Sequence, residues 1–422
     1  MEDLLFLTHR IPYPPNKGDK IRSYHLLKHL AQSYRVHLGT FIDDPDDWQH
    51  VDRIKELCGR THFARLNPIT ARLRSLGGLV TNRPLTLNYY RDAGMQAWVE
   101  RVLGELPVRR VLVFSSSVAQ YVSQAGHVRR IIDFVDIDSD KWLQYAQKKA
   151  WPMNWLYRRE GRLLLHYERQ VARAFDASLF VSQAEAALFK QIAPESAAKT
   201  GFFNNGVDTD YFSPTRSYQN PYPADASPLV FTGAMNYWPN VDAVQWFARE
   251  ILPPLLAQNP GARFYIVGSR PNAAVRALAE LPGVVVTGMV SDIRPYLAHA
   301  RLAVAPLRIA RGIQNKVLEA MAMAKPVIAS TQALEGITAN TGEEVLLARD
   351  SGEFIAAISA LLQRPLGAIG KAARVRVLAD YTWERALAEV DVLLAPDAPM
   401  RNVSTPLKQA IPRAFHATGE TP

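Results

Sequence analysis

The chain alternates short apolar runs with stretches of helical spacing, breaks off once, and then starts the same alternation again. The first cycle opens with Leu4 to Leu7, the loop THRIPYPPNKGDK, a helix-like stretch from Ile21 to Leu30 and a second run from Val36 to Phe41. Strand, helix and strand in that order predict parallel pairing, since a crossover is needed to return the chain to the same end of a sheet. Further runs lie at Arg110 to Phe114, Arg130 to Val135, Ala177 to Val181 and Thr200 to Phe203. Ser182 and Glu185 have the capping-box spacing of a helix start. The break, SPTRSYQNPYPADASP at 213–228, reads as an interdomain linker. Beyond it come LVFTG, RFYIVG, VVVTG, RLAVAPL, PVIAS and EVLLA, most of them separated by helical segments. Two such units predict two doubly wound α/β domains facing each other across a cleft, over residues 1–215 and 228–380. The Pro/Thr/Ser-rich end, 396–422, is expected to be disordered.

A length of 422 residues suits two or three domains, each able to bury its own core. The formal charge of +9 points to an acidic partner such as a nucleotide, a phosphorylated lipid, an anionic membrane or a nucleic acid; a basic soluble surface would read the same. Cys58 is the only cysteine, which excludes an internal disulfide and a cysteine-based zinc site. No run reaches the roughly 18 apolar residues of a membrane span, and the start lacks the pattern of a signal peptide. A reducing cytoplasm is the expected compartment.

The stretch ARGIQNKVLEAMAMAKPVIAS, 310–330, raises the chemical question. A strand feeds a turn with Arg308, Arg311 and Gly312, and a helix is predicted to start near Ile313. Helix N-termini present unpaired N–H groups and a partial positive charge, which suit a phosphate. Gly312 would let the ligand approach the backbone, and Arg311 and Lys316 would add charge-assisted bonds. Glu319, seven residues past Gly312 and roughly 10 Å along a helix axis, would grip ribose hydroxyls. The same letters also fit an amphipathic helix with Lys316 and Glu319 as a solvated pair.

KVLEAMAMAKPVIAS resembles the donor-nucleotide segment of the group 1 (family 4) GT-B glycosyltransferases. GFFNNGVDTDYFSP resembles their domain junction, with Asn205, Gly206, Val207 and Asp208 on its core. PYPPNKGDKIRSYHLLKHLA, FTGAMNYWPNVDAV and YTWERALAEVDVLL resemble, more narrowly, the sugar transferases associated with exosortase/PEP-CTERM exopolysaccharide loci. The likeness runs from about residue 4 to 394. It implies two Rossmann-like domains with a C-terminal helix, at about 382–395, returning to the first. It also implies sugar transfer from a nucleotide-diphosphate donor to a saccharide or lipid-linked acceptor, with retention of configuration and no metal cofactor. Three departures stand out. Arg311 occupies the position of the family's first glutamate, Glu319 matching the second. The family's first-domain histidine is missing, and IIDFVDIDSDKW, with Asp133, Asp136 and Asp138, stands in the comparable place. The basic residues that follow the second domain's first strand are absent beside Gly233, and Arg308, Arg311 and Lys316 are their expected substitutes.

In the first loop, Lys17, Gly18 and Asp19 lie where such sheets bind ligands, with His9 and Arg10 nearby. Gly18 is assigned to the donor phosphate or acceptor, and His9, Lys17 and Asp19 to the acceptor; an ordinary charged turn is the alternative. Asp136 and Asp138 would orient the acceptor hydroxyl, cap a turn, or form the metal pair of a GT-A enzyme. Residues 141–173 carry eight Lys or Arg, two Glu and three of the eight tryptophans. That mixture fits an anionic membrane surface, or a helix pair packing its aromatics inward. No nucleic-acid module accompanies it. Two rival functions remain: a GT-B sugar-nucleotide epimerase, and a non-catalytic binding subunit of a polysaccharide assembly.

Overall fold

The computed structural model describes residues 1–15, 17–147, 149–310, 312–363 and 367–395. Arg311 and the tail 396–422 therefore lie outside the described residues. The chain forms two parallel sheets. The first runs β3-β2-β1-β4-β5-β6-β7. Its strands are β1 (Glu2–Thr8), β2 (Tyr34–Ile42), β3 (Thr61–Arg65), β4 (Arg110–Phe114), β5 (Arg129–Val135), β6 (Ala177–Phe180) and β7 (Thr200–Phe202). The second runs β10-β9-β8-β11-β12-β13. It contains β8 (Ser227–Thr232), β9 (Ala262–Val267), β10 (Val284–Gly288), β11 (Leu302–Ala305), β12 (Val327–Ala329) and β13 (Leu346–Leu347). These are the two doubly wound sheets expected from the sequence, and they leave no place for the single-domain GT-A reading.

Each sheet is buried on both faces, so its strands read as near-continuous apolar runs. Only β3, THFAR, escaped the sequence reading: it mixes polar and apolar residues because it is an edge strand. In each sheet the chain reverses direction at one point, between β1 and β4 and between β8 and β11. The crevices at those switch points are where such sheets take ligands.

The segment 213–228 is not a free tether. Tyr222 is buried in the second core and donates to the carbonyl of Tyr296, while Ser227 and Pro228 belong to β8. Near the domain junction two segments run side by side: Val207 donates its N–H to the Tyr381 carbonyl, and Val207 bridges Thr382. A Cβ on Gly206 would stand 2.6 Å from the backbone nitrogen of Trp383, which is why this crossing carries a glycine. The helix Trp383–Leu394 then buries Leu387, Val390 and Leu394 in the core formed by β1, β2 and the helix Gly18–Ser33.

One buried ion pair ties these parts together. Arg22 and Asp133 are both fully buried, with Nε to Oδ2 at 2.7 Å and Nη2 to Oδ1 at 3.2 Å. The third guanidinium nitrogen, Nη1, donates to the Phe203 carbonyl and to Asn205 Oδ1, each at 3.0 Å, and the guanidinium lies 3.4 Å from the Phe203 ring. Removing one partner strands a charge in an apolar interior, whereas removing both does not. Arg22→Met should therefore destabilise the fold by about 3–5 kcal/mol, and Arg22→Met combined with Asp133→Leu should recover most of that loss. Urea unfolding followed by tryptophan fluorescence would test this; a double variant as weak as the single would show that the pair is not what matters.

Candidate functional site

On the second domain, β8 ends at Thr232 and Gly233 follows at φ +153°. Gly268, which follows β9, sits at φ +157°, and a Cβ there would stand 1.7 Å from the Gly233 carbonyl oxygen. The two strand ends can lie together only as glycines. Lys316 reaches up to them from the helix Asn315–Ala322. Its Nζ donates to Asn240 Oδ1 and lies 4.7 Å from the centre of the Phe231 ring. Asn240 in turn donates to the Ala234 carbonyl at 3.0 Å, clamping the loop to the helix.

That helix begins at Asn315, two residues later than its predicted start. Ile313 precedes it with its side chain buried in the second core, leaving only its backbone for a ligand. Glu319 thus stands four residues into the helix, roughly 6 Å along its axis and not 10 Å. Gly312 adopts φ +66°, as its turn requires, and a Cβ there would meet Val181 of the first domain at 3.7 Å. Asn315 accepts a long bond, 3.5 Å, from Asn205 of the junction. Arg308, expected at the phosphate, is held by Asp242 at 2.6 and 3.0 Å and lies over Trp246. Lys316 and Glu319 are half-buried. Burial pulls the Lys316 ammonium down to about 8, against the opposing charge of Glu319. It also pushes the Glu319 carboxyl up to about 7, against Lys316. The pair is thus partly buried and not a freely solvated one.

On the first domain a cavity of roughly 650 Å³ opens at the β1–β4 switch point. Two of its wall residues hold left-handed backbone without being glycine: Ser115 after β4, φ +80°, and Val135 at the end of β5, φ +69°. For a β-branched residue that conformation is an outlier of the kind that gathers at functional sites. His9 and Asp19 line the cavity. His9 Nε2 lies 3.5 Å from Asp19 Oδ2, and its ring stacks on Phe114. Against burial, His9 and Arg10 hold the Asp19 carboxyl well below its usual range. Gly18 begins the first helix with open space over its Cα, and Lys17 is the residue before it.

Asp136 and Asp138 line the same cavity and flank Lys141 at 3.6 and 3.1 Å. Against burial, the two carboxylates hold the Lys141 ammonium above its usual range. Among the described residues no group of three or more His, Cys, Asp or Glu is placed to hold a metal ion. The helices Asp138–Gln147 and Met153–Ala174 turn Trp142, Tyr145 and Tyr157 toward one another and into the cavity, while Trp151 and Trp155 stay exposed. The inward-packing reading of this basic, aromatic stretch thus describes Trp142, Tyr145 and Tyr157 but not Trp151 and Trp155.

Several residues at or behind this cleft escaped the sequence reading. Glu160 is buried and accepts from the N–H groups of Leu85 and Thr86, fixing one wall of the cavity, to which Tyr89 and Tyr90 add rings. Asn240, the anchor of Lys316, is an unremarked letter in NVDAV. A buried Arg or Glu inside a helix has no local signature; its partners lie 74 to 183 residues away.

Residues 226–364 match the family model described as Glycosyl transferases group 1. Among curated proteins none matches the chain in sequence. The fold is similar to that of sucrose-phosphate synthase from Thermosynechococcus elongatus, at TM-score 0.66 and 19% identity over 93% of this chain and 98% of that one. It is similar to Anabaena HepE, whose structure is in complex with UDP, at TM-score 0.62 and 17% identity over 93% and 99%. WaaG, a glycosyltransferase involved in lipopolysaccharide biosynthesis, aligns at TM-score 0.62 and 17% identity over 92% and 99%.

The two half-buried groups of the helix Asn315–Ala322 should titrate as a coupled pair. In Lys316→Met, the Glu319 carboxyl loses a favourable neighbour and should rise above about 7. In Glu319→Gln, the Lys316 ammonium should fall below about 8. Site-resolved NMR titration would check both; a Glu319 that titrates like a free carboxyl in the unaltered protein would remove burial as the cause.

Proposed function

We propose that this chain is a retaining glycosyltransferase. It would move a sugar from a nucleotide-diphosphate donor on the second domain to a saccharide or lipid-linked acceptor in the first-domain cavity, in exopolysaccharide synthesis at the cytoplasmic face of a membrane. The carrying observation is the half-buried Lys316–Glu319 pair beside the bare strand ends at Gly233 and Gly268, facing an aromatic, carboxylate-lined cavity across the cleft. The match of residues 226–364 to group 1 transferases supports the same reading. UDP, the nucleotide in the Anabaena structure, is the first to test.

In this reading the diphosphate rests against the helix mouth at Gly312, with Lys316 and Arg311 opposing its charge and Glu319 on the ribose. Arg308 stays with Asp242 and contributes only indirectly. Charge builds on the departing diphosphate in the transition state, so cations fixed there speed the reaction. The leaving phosphate takes the acceptor proton, with Asp136 or Asp138 orienting the acceptor hydroxyl, and no metal is called for. Aromatic rings and carboxylates are the usual partners of sugar faces and hydroxyls, which suits the cavity to a saccharide.

Two predictions test this. An anionic diphosphate favours charged Lys316, so affinity should weaken as pH rises through about 8. Ribose hydroxyls favour ionised Glu319, so it should also weaken as pH falls through about 7. Lys316→Met should remove the alkaline limb and Glu319→Ala should cost about 1.5–3 kcal/mol of nucleotide binding by calorimetry. A flat profile in the unaltered protein would take both groups out of the site. Second, transfer should persist in EDTA, and Arg311→Ala should lower kcat by about 10²–10³ with a smaller change in donor Kd. Retained activity in Arg311→Glu would reassign the sugar pocket, and donor binding without turnover would favour the non-catalytic subunit.

A further inference from the structure

The first domain carries a surface that the transfer reaction does not use. Its helix Pro68–Ser75 and the following turn of helix, Gly77–Thr81, hold Ile69, Leu73 and Val80 exposed, Val80 at 90%. The tip between the two helices that wall the cavity adds Trp151, 84% exposed, and Trp155. These form one face. Arg159, one turn after Trp155, donates to the Gly78 carbonyl at 2.6 Å and so pins the second helix against the Gly77–Thr81 turn. Water-facing side chains of this size gathered together mark a contact surface.

The segments that carry it are basic. Residues 66–91 and 141–159 contain no Asp or Glu and nine Lys or Arg between them. Three acids flank these segments in sequence: Asp92 accepts from the Met95 N–H, Asp140 accepts from Gln144, and Glu160 is buried against Leu85 and Thr86. On this face Arg74, Arg83 and Arg91 converge on a shallow depression of roughly 440 Å³, completed by Gly77, Thr81 and Asn88. The helix Pro68–Ser75 separates this depression from the aromatic cavity: Arg72 and Ser75 line the cavity, Arg74 the depression.

We infer that this face docks on an anionic membrane. Trp151, Trp155, Leu73 and Val80 enter the headgroup boundary, and the Arg74–Arg83–Arg91 depression takes a lipid phosphate. A second copy of the chain fits poorly, because the same basic face would meet itself or need an acidic patch. A lipid surface supplies apolar depth and negative charge together. The inference extends the proposed function, since a face beside the cavity mouth would present the cavity to an acceptor anchored in that membrane.

Flotation of the purified chain with vesicles of phosphatidylglycerol and phosphatidylcholine, against phosphatidylcholine alone, tests it. Binding to the anionic vesicles is expected to exceed binding to neutral ones at least tenfold and to fall as salt rises. Brominated lipid should quench tryptophan emission, and Trp151→Phe with Trp155→Phe should remove that quenching. Leu73→Glu with Val80→Glu, and separately Arg83→Gln with Arg91→Gln, should each cut vesicle binding tenfold or more without changing thermal stabilisation by UDP. All four positions are exposed, so loss of folding is checked by the melting temperature. Equal binding to both vesicle types, no binding, or variants that bind as before would overturn the inference. So would inorganic phosphate at millimolar level displacing the protein fully, which would point to a free-phosphate site. A change of oligomeric state in Leu73→Glu without lipid would assign the face to a second copy. Donor turnover with a soluble acceptor, measured without vesicles, reads the transferase activity separately, so either idea can fail alone.

Discussion

Arg22 and Asp133 form the contact on which the geometry of the cleft depends. Neither charge could stay buried alone, so the helix Gly18–Ser33 must meet the end of β5 at one register. The same guanidinium takes the carbonyls of Phe203 and Phe180 and the side chain of Asn205. Asn205 reaches Asn315, the first residue of the donor-side helix. A single cation thus connects the first-domain helix, the end of β5 that turns into the cavity, the junction, and the helix mouth of the second domain. Cavity-side Val135 is part of this: its N–H donates to Asp133 Oδ1 at 3.1 Å, which helps hold its left-handed backbone. Strain in the cavity wall and charge in the core support each other.

The two halves of the cleft are built by opposite means. The second-domain side is made of missing side chains: at Gly233, Gly268 and Gly312 a Cβ would clash or need an unfavourable φ. The first-domain side is made of large ones, with tyrosines and Trp142 forming walls and carboxylates placed among them. A diphosphate needs close backbone approach and positive charge, whereas a sugar needs apolar faces and acceptors for its hydroxyls. Tyr237, on the loop after β8, has its phenol pushed up mainly by burial, with smaller influences from Tyr145, Lys141 and Asp136 of the first domain.

Most of the fold could be read from the letters because parallel sheets bury both faces and so write themselves as apolar runs. The exception, β3, lies at an edge where one side needs no cover. The candidate site was legible where chemistry is local: Gly312, Lys316 and Glu319 follow a strand and stand at or in a short helix. They were illegible where a partner comes from far along the chain. Nothing near Arg308 in sequence announces Asp242, nothing near Lys316 announces Asn240, and Arg22 resembles any charged residue on a surface helix until β5 is folded beside it. The basic helix pair was ambiguous for a different reason. Spacing alone could not divide its aromatics, and only the packing of Tyr157 on Trp142 sends some rings inward and leaves Trp151 and Trp155 outside.

The loop after β8 has a physical logic of its own. It supplies Gly233, Ala234 and Asn240, and Asn240 can steer Lys316 but carries no charge. The Lys316 ammonium is itself weakened by burial, and the Arg308 guanidinium is held by Asp242. Within this constellation an anion would therefore find one partly weakened cation and one already paired. That shortage of positive charge is why the proposed reading gives a role to the arginine at sequence position 311, and why that position tests the reading most sharply.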